Sequence, residues 1–403
     1  MESLATAASG RDFSAVHAAM RRYVDQDILP GVSHAVLRGR ELIDVGCTGW
    51  ADKEAGVPLR TDHLFRVMSN TKLVTSCAVL LLFEEGRFGL DDPVERFLPQ
   101  LANRRVLRPG ATSLEDTEPA RGPITIRHLL THTSGLAYGL LDPGTLMFNA
   151  YAERKVLHAG IPLSGMMDAL ADLPLVFHPG TAWEYSVATD VLGYLVEVVS
   201  GQPLDRFVQT RIFAPLGMVD TAFTLPQHKH HRLTAYYAGA DVGDPMKPGL
   251  TRTDRAPYPD AYLKPFPKLF GGGGLVSTLP DMVALVRSLL PDGDTLLKPA
   301  TLALMMANQL PEGVNIRFPS VGEVAGKGYG LAGAVTLEPS PYDPPDSTGE
   351  FQWGGIAGTH WWISPRTNLA GVLMTQRQMA FWHPYAFEFK RLAYTAAGGA
   401  VVS

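Results

Sequence analysis

A serine and a lysine stand three residues apart in the tetrad Ser69-Asn70-Thr71-Lys72. On a helix this spacing places both side chains on one face, one turn apart, so the lysine amine can reach the serine hydroxyl. A serine hydroxyl is a poor nucleophile until an adjacent base takes its proton. A lysine can be that base only where burial or a neighbouring cation lowers its pKa. The pattern predicts Ser69 as a nucleophile and Lys72 as its proton acceptor or as a fixed positive charge.

The tetrad lies where a short strand-like run, residues 64–68, gives way to an apolar run, residues 73–83. We expect a helix over residues 70–85 that ends at Gly86. Because its sequence is apolar on nearly all sides, this helix should be buried in the middle of the protein. Burial would give Lys72 apolar surroundings.

The hydrophobic pattern predicts strands at both ends of the chain and mainly helices between them. Helices are expected over residues 13–28, 70–85, 126–132, 190–199, 280–290 and 384–397. Strands are expected over residues 32–38, 41–48, 64–68, 330–337, 351–356, 360–363 and 369–375. Two segments rich in proline, glycine and charge, residues 104–123 and 225–270, are predicted to be long surface loops.

This order of elements predicts an α/β domain built from both termini, residues 1–89 and 325–403. A mainly helical region with long loops, residues 90–324, is inserted into it, and the active site is expected between the two. The chain has 403 residues, of which 46% are hydrophobic and 19% charged. That length and composition are enough for one large core or two closely joined domains.

Charge and composition exclude several classes of partner. The net charge is −5 and no basic stripe occurs, so no nucleic-acid partner is expected. The first 13 residues lack a basic segment followed by an apolar core, and the longest apolar run is too short to span a bilayer. Two cysteines, Cys47 and Cys77, cannot form a disulfide framework, and Cys77 is expected in the core. A cytoplasmic location without a membrane partner follows, while the oligomeric state is left open.

Five segments carry a resemblance to a known superfamily: residues 64–72, 88–94, 124–136, 179–187 and 353–355. The chain resembles the serine β-lactamases and penicillin-binding proteins. It is more closely similar to their class C β-lactamase-like esterases (family VIII carboxylesterases) and related acyltransferases. The resemblance implies a β-lactamase-like fold of the α/β plus all-α class, an antiparallel sheet flanked by helices with an inserted helical domain.

Two motifs depart from those of true β-lactamases. Their Tyr-x-Asn motif is replaced here by Tyr185-Ser186-Val187, and valine cannot hydrogen-bond an amide-bearing substrate. Their Lys-Thr-Gly motif is replaced by Trp353-Gly354-Gly355, and tryptophan offers an apolar face and one N–H donor where lysine would pair with a carboxylate. Both changes predict a less charged, more apolar acyl substrate.

The resemblance implies roles for further residues. Tyr185 shares the proton transfer with Lys72, because a phenol can act as a base where a nearby cation stabilises the phenolate. The order in which Tyr185 and Lys72 take the proton is left open. The oxyanion that forms on attack is bound by the backbone N–H groups of Ser69 and Ile356.

The remaining site predictions concern the substrate pocket. Trp353 is expected to line it, and Gly354 and Gly355 let the strand edge approach the substrate closely. Tyr138 and His360 are further candidates for contact with the substrate, although His360 is equally compatible with ordinary packing.

Other patterns are weaker. No G-x-S-x-G elbow occurs, so an α/β-hydrolase triad lacks its usual context. His128 and His132 have a spacing that can hold zinc on a helix, but the glutamate of a metalloprotease is missing, and the resemblance makes them structural residues behind the site. The histidines of residues 228–231 are assigned to a solvated loop. The four glycines 271–274 predict a turn that other groups approach closely.

The leading functional hypothesis is a serine carboxylesterase that cleaves short- to medium-chain esters, small-molecule substrates, through an acyl-enzyme on Ser69. The first alternative is an acyltransferase of the same fold that moves the acyl group to an alcohol or amine. A third is a weak β-lactam hydrolase or an inactive ligand-binding relative. The chemistry requires no cofactor and no metal.

Overall fold

The computed structural model describes residues 10–254, 257–319 and 321–398. The strands, in chain order β1 to β16, are Gly31–Arg38, Glu41–Asp52, Val57–Pro58, Phe65–Arg66, Arg105–Leu107, Thr117–Pro119, Tyr237–Gly239, Leu250–Arg252, Val276–Ser277, Arg317–Phe318, Gly322–Glu323, Lys327–Tyr329, Ala334–Thr336, Phe351–Gly354, His360–Ser364 and Leu369–Met374.

The α-helices, in chain order α1 to α11, are Ser14–Asp25, Thr71–Glu84, Ile126–Leu130, Leu146–Glu153, Leu163–Ala171, Ala188–Ser200, Leu204–Val208, Ala214–Leu216, Leu279–Arg287, Pro299–Met306 and Pro384–Ala396. Short 3₁₀ helices occupy Met68–Asn70, Val94–Arg96, Pro99–Leu101 and Gln227–Arg232, and a π-helical turn occupies Gln209–Phe213.

The main sheet has eight strands in the order β12-β13-β14-β15-β16-β1-β2-β3, and its pairs are antiparallel. Its strands come from both ends of the chain, because β1 lies between β2 and β16. This confirms the predicted antiparallel sheet flanked by helices. The domain boundaries at residues 89 and 325 stay a prediction.

The central strand β1 is buried on both faces, since alternate residues point to opposite sides of a sheet. Ala35 and Leu37 belong to the larger apolar core, which also contains the side chains of α2. Val32 and Val36 belong to a smaller core with α1 and α11. The sheet therefore separates two apolar cores, and only the larger one includes α2.

Helix α2 is buried along nearly all of its length, as predicted from its composition. It ends where Gly86 adopts a left-handed conformation with φ of 70°, which glycine accepts without steric cost. Cys77 on this helix is fully buried, as expected of a small core residue.

Two predictions of local structure are wrong. The segment predicted as one strand over residues 330–337 is part of a hairpin, β12 and β13, with a turn between them. The two predicted surface loops contain the short paired strands β5 and β6, and β7 and β8, and side chains such as Val106 and Tyr237 are buried in them. Proline and glycine content identified the turns but not the pairing partners. Among the described residues, no helix has both the length and the apolar character needed to cross a membrane.

A buried network of charges joins α11 to the sheet. The ammonium of Lys390 donates to Glu350 Oε1 at 2.7 Å and to Asp343 Oδ1 at 3.1 Å, and Lys327 lies 3.0 Å from the second oxygen of Asp343. Burial opposes the charge of Asp343, but Lys390 and Lys327 outweigh it and hold the pKa of this carboxyl far below its usual range. The charges of this network are therefore paired where water cannot screen them.

We expect Lys390→Met to lower the free energy of unfolding by about 3–5 kcal/mol, because it leaves Asp343 and Glu350 buried with fewer partners. Urea unfolding followed by tryptophan fluorescence measures this change. The matched control is Lys264→Met, which breaks an exposed pair with Asp260 and should change stability by less than about 0.5 kcal/mol. Equal effects of the two substitutions would contradict a structural role for the buried network.

Candidate active site

Ser69 lies in the 3₁₀ turn that leads into α2. Strand β4 pairs with β9, and the Val67 N–H donates to the Leu275 carbonyl at 3.1 Å, so the turn is held against the neighbouring strand. Met68, just before Ser69, has a φ of 45°. A left-handed conformation in a residue with a side chain costs on the order of 1–3 kcal/mol and is often found at functional sites. Ser69 itself is half-buried.

The Ser69 hydroxyl is directly hydrogen-bonded to Tyr185. The Tyr185 hydroxyl donates to Ser69 Oγ across 2.7 Å, although the two residues are 116 positions apart in the chain. Tyr185 stands three residues before the start of α6, and α6 packs against α2. Helix packing therefore brings the tyrosine to the serine.

Lys72 projects from the first turn of α2 and is only 1% exposed. Its Nζ lies 3.5 Å from Ser69 Oγ and donates to the Gly272 carbonyl at 2.7 Å. The same nitrogen lies 4.6 Å from the ring centroid of Tyr185 and 5.5 Å from that of Tyr138. Lys72, Ser69 and Tyr185 thus form one contiguous group, with Tyr138 beside it.

The pKa of Lys72 is raised, whereas a lysine that acts as a general base needs a lowered pKa. Burial favours the neutral amine, but Tyr138, Tyr185 and Asp190 outweigh burial and raise the pKa of Lys72 above its usual value. The apolar surroundings predicted for Lys72 are present, but they do not neutralise it. At neutral pH Lys72 carries a positive charge beside Ser69 and Tyr185.

Asp190 and Gly272 support this charge, and neither was assigned to the site from sequence. Asp190 lies in the first turn of α6, is 2% exposed, and accepts the Gly272 N–H at 3.0 Å. A Cβ at position 272 would come within 2.9 Å of Asp190 Oδ2 and 3.2 Å of Lys72 Nζ. The close-approach turn predicted for residues 271–274 is confirmed. The available sequence signal for Asp190 was an aspartate in the first turn of a mainly apolar helix.

His132 packs beneath Tyr185, with 5.0 Å between the two ring centroids. Its Nδ1 accepts the Ser186 N–H at 3.3 Å and lies 3.0 Å from Ser186 Oγ. Burial and the Lys72 charge hold the pKa of His132 well below its usual value, so the ring is neutral. His132 therefore orients the segment that carries Tyr185.

The other histidines considered as metal ligands have local structural roles. His128 forms a capping box with Thr125 at the start of α3. His228 and His231 are exposed in the 3₁₀ helix Gln227–Arg232, and His230 Nε2 lies 3.0 Å from the Leu225 carbonyl oxygen. In the part of the chain that the structure describes, none of these belongs to a cluster of potential metal ligands.

The end of β14 lies against the turn that carries Ser69. A Cβ at Gly355 would come within 2.4 Å of the Val67 carbonyl oxygen, and the Thr359 hydroxyl donates to that oxygen at 3.1 Å. Within the described residues, the N–H groups of Ser69 and Ile356 donate to no backbone carbonyl. The role predicted for these two N–H groups, the binding of an oxyanion, stays a prediction.

Aromatic side chains form the surroundings of Tyr185. The Trp353 ring centroid lies 5.5 Å from that of Tyr185, and the Tyr138 centroid lies 5.2 Å from it. Phe318 and Phe381 pack against Trp353 at 6.3 and 5.2 Å. The environment of the site is therefore mainly apolar.

A cavity of about 80 Å³ continues from Trp353, and His360, Phe381 and Trp382 also line it. Burial lowers the pKa of His360 to about 4, so this ring is neutral. Gly354 makes room for it, because a Cβ there would come within 2.4 Å of His360 Nδ1. His360 thus lines a cavity beside Trp353, and its contact with substrate stays a prediction.

The sequence and the fold of this chain are similar to those of known proteins. A family model described as "Beta-lactamase" matches residues 16–393. Esterase EstB of Burkholderia gladioli is 32% identical over 364 residues, which make up 86% of each protein.

Two solved structures are similar over nearly the whole chain. EstCE1, described as a hydrolase with promiscuous acyltransferase activity, has a TM-score of 0.79 and 26% identity, covering 94% of this chain and 98% of its own. Simvastatin synthase (LovD) from Aspergillus terreus has a TM-score of 0.79 and 27% identity, covering 97% of this chain and 100% of its own.

We expect Asp190→Asn to shift the alkaline limb of the pH–activity profile to lower pH. The substitution removes a negative charge that stabilises the Lys72 ammonium, while the amide oxygen can still accept the Gly272 N–H. The profile of kcat/KM for ethyl butyrate, followed by pH-stat titration, measures the shift.

The matched control is Asp168→Asn, an exposed aspartate on α5, which should leave the limb in place. An unchanged limb in Asp190→Asn, with only KM altered, would mean that Asp190 positions the glycine turn without acting on the charge of Lys72.

Proposed function

Because the chain belongs to the beta-lactamase family, we propose that it is a serine carboxylesterase that cleaves short- to medium-chain esters through an acyl-enzyme on Ser69. The observation that carries this proposal is the 2.7 Å hydrogen bond between Tyr185 and Ser69 beside the buried ammonium of Lys72. This group combines a nucleophile, a proton acceptor and a cation that stabilises the acceptor's charged form.

Acylation begins when Ser69 Oγ attacks the ester carbonyl carbon. Tyr185 first releases its own hydroxyl proton, which is directed at Ser69 Oγ in the resting site, to solvent. Its oxygen can then take the serine proton, which Lys72 cannot accept because its ammonium is already charged. The carbonyl oxygen becomes an oxyanion and accepts hydrogen bonds from the N–H groups of Ser69 and Ile356. Collapse of this intermediate breaks the bond to the alkoxy oxygen, which takes the proton from Tyr185 and leaves as an alcohol.

Deacylation reverses the same proton transfers. A water molecule attacks the acyl carbon and loses its proton to the Tyr185 oxygen. The bond to Ser69 Oγ then breaks, and Oγ recovers a proton from Tyr185. The carboxylic acid is released and the site returns to its first state.

The surroundings of the site support an apolar acyl substrate. Trp353 stands where related β-lactamases have a lysine, so the site lacks that partner for a substrate carboxylate. Val187 stands where they have an asparagine, and it is completely buried. Aromatic walls favour hydrocarbon chains through the area that they remove from water.

We expect Ser69→Ala to reduce kcat/KM for p-nitrophenyl butyrate by roughly 10⁴-fold or more, because removal of the nucleophile abolishes the acyl-enzyme route. The matched control is Ser76→Ala, the same change at a buried serine of α2, the helix that follows Ser69, which should keep most of the activity. Circular dichroism checks that both variants are folded. Equal activity of wild type and Ser69→Ala would exclude Ser69 as the nucleophile.

A second candidate function, acyl transfer to an alcohol, is favoured by the comparisons, since EstCE1 is described as having acyltransferase activity and LovD as a synthase. The acylation half-reaction is the same in both cases. The difference lies in whether water or an alcohol reaches the acyl carbon first. An apolar entrance would favour an alcohol over water.

With vinyl butyrate as donor and 1-butanol as acceptor in buffer, we expect butyl butyrate to form beside butyric acid, in a ratio that rises with the alcohol concentration. Gas chromatography of both products measures the partition, and both should disappear in Ser69→Ala. Formation of the acid alone at every alcohol concentration would restrict the enzyme to hydrolysis.

A further inference from the structure

Two histidines and an aspartate converge outside the active site. His17 lies on α1, His34 on β1 and Asp44 on β2. His17 Nε2 lies 2.8 Å from Asp44 Oδ1, and His34 Nε2 lies 3.3 Å from Asp44 Oδ2. One potential ligand atom from each residue lies within 4.8 Å of the others. The three side chains meet on the face of the sheet that α1 covers.

His34 is buried, and its hydrogen bonding is incomplete. Its side chain is 2% exposed, its Nδ1 has no hydrogen-bond partner among the described residues, and its Nε2 has only the 3.3 Å contact with Asp44 Oδ2. Among the same residues, Oδ2 of the buried Asp44 has no other partner. Unsatisfied buried polar atoms are rare in native proteins because each costs free energy.

Gly46 leaves room for the His34 ring. His34 is paired across the sheet with Gly46, and a Cβ at Gly46 would come within 2.1 Å of His34 Cε1. Any other residue at position 46 would displace the imidazole. A cavity of about 150 Å³ is lined by His17 and His34 but not by Asp44. It is large enough for an ion and a bound water.

We propose that His17, His34 and Asp44 bind a divalent transition-metal ion of the zinc type. Two imidazole nitrogens and a carboxylate oxygen are ligands that zinc accepts in tetrahedral sites, with bonds of about 2.0–2.2 Å. Bonds of that length place ligand atoms about 3.3 Å apart. His34 Nε2 and Asp44 Oδ2 have this separation, whereas His17 Nε2 and Asp44 Oδ1, hydrogen-bonded at 2.8 Å, must move apart when the ion binds. A water fills the fourth position from the cavity.

The charges fit this ion. Burial lowers the pKa of His34, so its ring is neutral, the form that binds a metal. Asp44 supplies the negative charge. Arg21 is exposed, and water screens its guanidinium from the site.

Such an ion would be structural. Its ligands come from three different elements, and it would tie α1 to the central strands of the sheet. The cluster adjoins the smaller core, through the contact of His34 with Phe389 at 5.2 Å, whereas α2 with Lys72 lies in the larger core. Ester hydrolysis by Ser69 therefore does not depend on this site, and the two proposals can fail independently.

The test is calorimetric titration of the metal-free, full-length protein with Zn²⁺. We expect one ion per chain and a rise in Tm on saturation, because the ion binds the folded state. His17→Gln and His34→Gln should each weaken binding by about tenfold or more. His17 is largely exposed, so its substitution keeps the fold even if the buried His34 does not tolerate a change.

The control variant is His228→Gln combined with His231→Gln, since those exposed histidines could bind zinc on their own. It should bind Zn²⁺ as the wild type does. Absence of binding in the wild type, or wild-type affinity in His17→Gln, would overturn the proposal. Loss of binding in the control variant alone would place the ion in residues 228–231 and would overturn it as well.

Discussion

The positive charge of Lys72, held where water cannot reach it, is the constraint on which the rest of the site depends. An ammonium without partners in an apolar core would be far too costly, so the fold must supply groups that stabilise it. They come from distant parts of the chain: the Gly272 carbonyl, the Tyr185 and Tyr138 rings, and the Asp190 carboxylate. Each supporting group also fixes the position of an element around Ser69.

The same constraint accounts for the glycines that surround the site. The turn at residues 271–274 brings the Gly272 carbonyl to Lys72. Residue 272 must be a glycine for this, because a side chain there would collide with Asp190. At the other side, Gly355 lets the end of β14 approach the backbone of Val67. The two close approaches hold the serine turn between a loop and a strand edge. This packing brings together the backbone segments that carry Ser69 and Ile356.

The two faces of the eight-stranded sheet pack against different helices and carry different polar groups. On one face α2 and α6 bring Lys72, Ser69 and Tyr185 together within the larger core. On the other face α1 and α11 close a smaller core, and the histidines and aspartate beneath α1 lie there. The strand order joins both ends of the chain in one sheet, so closing α11 onto the sheet also anchors the strand that ends at Gly354.

The sequence by itself determined the features that depend on local geometry. Helical spacing places Lys72 one turn from Ser69, and an all-apolar helix has to be buried. Motifs arranged along the whole chain identified the superfamily, the sheet and Tyr185. Tertiary structure decided what depends on contacts between distant residues. Asp190 meets Gly272 across 82 positions. Tyr138, Tyr185 and Asp190 together raise the pKa of Lys72, where burial alone would lower it. The hairpin β12–β13 and the meeting of His17, His34 and Asp44 arise in the same way. Hydrophobic periodicity in a sequence reflects the local geometry of the backbone, over one helical turn or one pleat of a strand. The contacts between distant residues depend instead on how whole helices and strands pack together.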